Sequence, residues 1–132
     1  MEKQLYQWAL EAQQKAYAPY SHFRVGVCLQ ASNGEYFSGC NIENASYGLT
    51  LCAEAIALGC MVMQGPHRIQ AVAIVSDADD FCPPCGGYRQ RLSEFANPDT
   101  VFFLFNQAGQ QKKISMQALF PFPFNKNFLG DV

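Results

Sequence analysis

An α/β fold, a three-layer α/β/α sandwich on a mixed five-stranded sheet, is predicted by three features of this 132-residue sequence. Residues 3–17 place Leu5, Trp8, Ala9, Ala12 and Ala16 at helical spacing, with Gln, Glu and Lys between them. FRVGVCLQ at 23–30 alternates larger apolar residues with smaller or polar ones, and Asn33-Gly34 follows with hairpin turn chemistry. After residue 50, helical and strand-like segments alternate, which implies parallel crossovers and helices on both faces of a sheet.

The first helix is stopped by APYS at 18–21, because Pro19 steers the residue before it away from helical geometry. The strand over 23–30 turns at Asn33-Gly34 into a second strand at about 35–40. LCAEAIALGCMVMQ at 51–64 returns to helical composition and stops at Gly65-Pro66. IQAVAIVS at 69–76 is a nearly continuous apolar run rich in β-branched residues, as a strand covered on both faces requires. GGYRQRLSEFA at 86–96 reads as a helix, VFFLF at 101–105 as a buried strand, NQAG at 106–109 as a turn and SMQALF at 115–120 as a short last helix. No internal repeat or linker interrupts the chain, so residues 1–132 read as a single domain.

A net charge of −2 argues against binding to a phosphate backbone or an anionic membrane, both of which need clustered Lys and Arg. The start of the chain, MEKQLYQWALEAQQKA, is polar and periodic and has no signal-peptide core. AVAIV and VFFLF are far too short to span a bilayer. The expectation is a cytoplasmic protein with no nucleic-acid or membrane partner. Its six cysteines, Cys28, Cys40, Cys52, Cys60, Cys82 and Cys85, then stay reduced and serve as metal ligands or small buried hydrophobes. Cys28 and Cys60 read as buried hydrophobes.

The chemistry concentrates at two helix starts. Leu51-Cys52-Ala53-Glu54 opens one helix and Pro84-Cys85-Gly86-Gly87 the next. A helix N-terminus favours the thiolate, which is the metal-binding form of cysteine. Ligands of open α/β sheets sit at the carboxyl ends of the strands, near such helix starts. Cys52 and Cys85 are therefore candidate co-ligands, and Glu54 stands beside the metal without binding it. Cys82 forms a C-x-x-C pair with Cys85 across Pro83 and Pro84, a spacing usual for two zinc ligands.

CAE at 52–54 together with PCGG at 84–87 resembles the signature of the zinc-dependent base and nucleoside deaminases. YAPYSHFRVG at 17–26, SGCNIENASYG at 38–48 and RQRLSEF at 89–95 extend the likeness in order, from about residue 3 to residue 124, to the small homotetrameric cytidine deaminases. The resemblance implies zinc as cofactor and a small nucleoside as substrate. The implied reaction is hydrolytic deamination of cytidine or deoxycytidine to uridine or deoxyuridine in pyrimidine salvage. It implies Cys52 and Cys85 as zinc ligands and Glu54 as the proton shuttle. Phe23 would lie against the pyrimidine ring, Asn41 and Glu43 on the ribose hydroxyls, and Ala53 at the substrate. Phe124 in PFPF would complete the pocket of a neighbouring subunit of a homotetramer.

Two positions depart from that pattern. Tyr88 stands where the family has its third thiolate, and Ala55 where many members have Arg. Three readings of the third ligand follow: Cys82, Tyr88, or none. The last corresponds to a nucleoside-binding protein without turnover, and a deaminase of a different nucleoside is a further reading.

Overall fold

The structure, a computed structural model, describes residues 2–130, and its first helix, α1 (Glu2–Gln14), packs Leu5, Ala9, Ala12 and Gln13 inward. The helix ends before residue 17, earlier than expected. The Tyr17 amide donates to the Asn41 carbonyl at 3.0 Å, and the Glu43 amide donates to the Tyr17 carbonyl at 2.8 Å. The chain therefore leaves the helix to pair with the segment around Ile42 before Pro19 has any effect.

β1 (Val25–Ala31) and β2 (Tyr36–Cys40) form the expected antiparallel pair, with Gly34 at φ +90° in the turn between them. α2 (Ala53–Gln64), β3 (Ile69–Ser76), α3 (Gly86–Ser93), β4 (Ala96–Phe105), β5 (Gln111–Ser115) and α4 (Met116–Leu119) follow. The five strands run in the order β2-β1-β3-β4-β5. β1 pairs antiparallel with β3, β3 parallel with β4, and β4 antiparallel with β5. The sheet is mixed as predicted, and its parallel pairing among the described residues is confined to β3 and β4.

Phe23 lies before β1, which is buried along both faces rather than on one. α3 stops at Ser93 because Ala96 already pairs with Ile69, so β4 is ten residues long instead of the five of VFFLF. β5 was not singled out in the sequence, since Gln111, Lys112 and Lys113 are exposed. Lysines on an edge strand discourage pairing with other chains, and they hide the alternation by which a strand is recognised.

Alternation in the central strands divides the core in two. Val27, Leu29, Val72, Ile74, Phe102 and Leu104 pack with Ala53, Ala57 and Met61 of α2, Leu92 of α3 and Met116 of α4. Cys28, Ala71, Ala73, Val75, Phe103 and Phe105 pack with Leu5 and Ala9 of α1 on the other side. Three layers result. Cys28 is buried as read, whereas Cys60 is exposed, because its side of α2 faces away from the sheet. The start of α2 sits tight on the sheet: a Cβ added to Gly39 of β2 would lie 2.6 Å from both the Ala53 carbonyl oxygen and the Ala57 amide nitrogen. No described helix is long and apolar enough to cross a membrane.

Candidate active site

Two helix starts meet at one cleft. Cys52 is the N-cap of α2 and Cys85 the N-cap of α3, both in extended conformation (φ −82°, ψ 156° and φ −65°, ψ 165°). Neither side chain makes a capping hydrogen bond. Cap positions usually carry Ser, Thr, Asp or Asn to satisfy the free amides. Thiols placed there without a capping bond can turn to a ligand beyond the helix end. Burial pushes the Cys52 thiol above its ordinary value, and the neighbouring Glu54 and Cys85 add to the rise, while the Tyr88 hydroxyl, hydrogen-bonded to it, pulls the other way.

Glu54 lies in the first turn of α2 and is only 6% exposed. Burial raises its carboxyl above the usual carboxylate range, partly opposed by its own backbone amide. A carboxyl group in such a place holds a proton more readily than an exposed one, as proton transfer to and from a bound molecule requires.

The cleft, about 330 Å³, is lined by Cys52, Ala53 and Glu54 on one side and by Cys82, Cys85 and Tyr88 on another. Phe23, Asn41 and Glu43 line the facing wall. Phe23 stands 36% exposed. The Asn41 side chain is buried between two backbone groups: its Oδ1 accepts from the Val25 amide at 2.9 Å and its Nδ2 donates to the Phe23 carbonyl at 2.9 Å. Glu43 accepts from the Tyr20 and Ser21 amides, each at 3.1 Å, and from the Ser21 hydroxyl. That hydroxyl is the main cause holding its carboxyl below the usual range.

Cys82 shares the cleft, but its thiol is directed to the Pro83 carbonyl at 3.7 Å and meets the Ser76 side chain. Among the described residues, no three His, Cys, Asp or Glu side chains are grouped as a metal site. The donors assembled are thus the thiols of Cys52 and Cys85 with the Tyr88 oxygen against Cys52. Thiolate sulfur is a preferred zinc donor, so the two thiols fit zinc.

Phe124 lies outside the cleft. Its backbone is tied to the Gln90 side chain, at 2.6 Å through its carbonyl and 3.2 Å through its amide, and its ring stacks on Phe128. A second hollow of about 350 Å³, between α4 and the C-terminal segment, is lined by residues such as Arg68, Glu94 and Phe120 and contains neither Cys nor His.

The sequence reading missed two supports of the site. Asp77, directly after β3, is bound to Arg24 behind the Phe23 wall. Its place at a strand carboxyl end was the available signal. Arg91 lies 5.4 Å above the Tyr88 ring, a pairing foreshadowed by the three-residue spacing on α3.

A family model described as the cytidine and deoxycytidylate deaminase zinc-binding region matches residues 1–104. A cytidine deaminase of Halalkalibacterium halodurans is 41% identical over 123 residues, which are 93% of this chain and 93% of that protein. A cytidine deaminase of Sporosarcina psychrophila is 39% identical over 120 residues, 91% of this chain and 88% of its own. Among solved structures, cytidine deaminase from Burkholderia pseudomallei superposes with a TM-score of 0.88 at 39% identity, covering 94% of this chain and 99% of that one.

Proposed function

The chain belongs to the cytidine and deoxycytidylate deaminase family, and from this we propose that it hydrolyses the exocyclic amine of cytidine or deoxycytidine to give the uridine nucleoside and ammonia. The observation that carries the reading is Glu54, buried in the cleft two residues from the N-cap thiol of Cys52 and facing the start of α3. A nucleoside-binding module has no need of a carboxyl group desolvated there.

The metal of the family is zinc, and Cys52 and Cys85 would hold it. When bound, it supplies the Lewis acidity that brings the ionisation of water toward neutral pH. Glu54 takes the proton of the attacking water, delivers it to N3 of the pyrimidine, and assists the departure of ammonia from C4. Phe23 lies against the base. Asn41 still has one Nδ2 hydrogen and an Oδ1 lone pair beyond its backbone bonds, and Glu43 has acceptor capacity beyond Ser21 and Tyr20, so both can bind ribose hydroxyls. Groups built to bind hydroxyls reject analogues that lack them. Ala53 closes the cleft between Cys52 and Glu54 with little bulk against the substrate.

The chain acts as one domain within a cytoplasmic homotetramer serving pyrimidine salvage. The apolar side chains left exposed support the assembly: Tyr47, Leu49 and Leu51 beyond β2, and Phe122, Phe124, Phe128 and Leu129 near the C-terminus. Phe124, directed away from its own cleft, serves a neighbour's.

Tyr88 favours a second reading, a nucleoside binder without turnover, because a phenol is a poorer metal ligand than a thiolate. Metal analysis paired with a cytidine-to-uridine absorbance assay separates the two. About one zinc per chain, with turnover abolished in Glu54→Ala, supports the deaminase. Metal-free protein that binds cytidine without converting it supports the binder.

A further inference from the structure

A carboxylate offers about four acceptor positions, and on Glu43 one short loop fills three of them. Oε1 accepts from the Tyr20 and Ser21 amides, each at 3.1 Å, and Oε2 accepts from the Ser21 hydroxyl. We propose that Ser21 is a positioning residue for sugar recognition: its hydroxyl aims the remaining acceptor position of Glu43, on Oε2, at a single sugar hydroxyl and ties that carboxylate to the Phe23 wall. The proposal rests on the nucleoside reading above.

Hydrogen-bond counting supplies the first argument. With Oε1 occupied by two amides, a bound hydroxyl has only Oε2 to donate to. The Ser21 hydroxyl has a single hydrogen, already given to Glu43, so it does not donate to the nucleoside itself. As an acceptor it takes the Phe23 amide at 3.0 Å. One oxygen thus joins the residue proposed for the sugar to the residue proposed for the base, and all three side chains line the cleft.

The backbone supplies the second argument. The Glu43 amide donates to the Tyr17 carbonyl at 2.8 Å, and the His22 amide donates to the Ala18 carbonyl at 3.0 Å. The segment from Tyr17 to His22 is therefore fastened both to itself and to Glu43. Among the described residues, His22 is the one non-glycine at positive φ, +58°, and this turn brings the Phe23 amide back to the Ser21 hydroxyl. A left-handed residue other than glycine persists only where surrounding contacts over-determine it. The Ser21 hydroxyl is also the largest cause holding the Glu43 carboxyl below its usual range, which keeps Oε2 an acceptor.

The test uses full-length protein supplied with zinc. Calorimetry gives dissociation constants for uridine and 2′,3′-dideoxyuridine, which have no exocyclic amine and are not turned over, and steady-state kinetics give KM and kcat for cytidine. Wild type should bind uridine more tightly than the dideoxy analogue. Ser21→Ala should weaken uridine binding about 10-fold and the dideoxy analogue by a clearly smaller factor, raise the KM for cytidine in step, and keep kcat within about 2-fold. Ser21→Thr, which keeps the hydroxyl, should restore most of the loss. Equal weakening of both ligands in Ser21→Ala, or no weakening of either, would overturn the proposal while leaving the deaminase intact. Wild type inactive on cytidine would overturn the deaminase reading alone, since the binding ratios do not depend on turnover. Wild type that binds neither nucleoside would overturn both.

Discussion

Asp77 and Arg24 are joined by three hydrogen bonds: the Arg24 amide at 2.9 Å and its Nε at 3.2 Å to Oδ2, and its Nη2 at 3.2 Å to Oδ1. Gln13 adds a fourth to Asp77 at 3.3 Å. The segment Phe23–Val25 is therefore gripped twice, by Asp77 at Arg24 and by Asn41 at its two neighbours. Because Phe23 and Asn41 line the cleft, the grip fixes the wall proposed to hold the nucleoside.

Asp77→Asn keeps the shape but removes the charge that the two side-chain contacts of Arg24 use. Arg24 is 42% exposed at its side chain, so solvent screening holds the stability loss to about 1 kcal/mol. The kinetic change should appear as a raised KM for cytidine with kcat largely kept, since the role proposed for the wall is to bind substrate without reacting. Urea unfolding and steady-state kinetics measure the two; a fall in kcat at unchanged KM would contradict this role.

The same pair sets a pH dependence. Burial alone would raise the Asp77 carboxyl, but the hydrogen bonds and charge of Arg24 outweigh it and hold it below its ordinary value. A lowered folded value stabilises the native state fully above the unfolded value, near pH 3.9. That contribution is lost as pH falls through the lower folded value. Below about pH 4, stability should fall less steeply in Asp77→Asn than in wild type, as read by chemical unfolding from pH 6 down to pH 2.

Gly39→Ala should disturb the site from behind. Its new Cβ would meet the backbone of Ala53 and Ala57 at 2.6 Å, and backbone cannot rotate away as a side chain does. Pushing α2 outward should cost about 1–3 kcal/mol and carry Cys52 and Glu54 with it, reducing both zinc affinity and turnover. Gly34→Ala is the control: its φ of +90° makes alanine strained, by about 1–2 kcal/mol, but nothing lies within 4 Å, so zinc affinity should be unchanged. Thermal unfolding and metal competition on both variants separate the effects.

Glu54→Gln retains the volume and removes the proposed proton acceptor. Turnover should fall by about 10²- to 10⁴-fold or more, while calorimetry shows nucleoside binding and zinc content preserved. Since Glu54 is buried with its charged form disfavoured, the neutral amide should unfold at a temperature no lower than wild type. Loss of zinc in this variant would move Glu54 from proton transfer into the ligand set.

Much of this protein is written locally. The start of α2 after Cys52, the turn at Asn33-Gly34 and the run of β3 each depend on residues within a few positions of one another, and short-range spacing and backbone preference decide them. The two helix starts that meet at one cleft were legible for the same reason, because each motif fits into one helical turn. Tertiary structure decided what lies between distant segments. Tyr17 leaves its helix to meet Asn41, and Arg24 finds Asp77 across 53 positions of sequence. Lys112 and Lys113 form an edge strand only because β4 is there to pair with them. That Cys52 at the start of α2 and Tyr88 of α3 line one cleft likewise depends on how the two helices are packed, which no local spacing records.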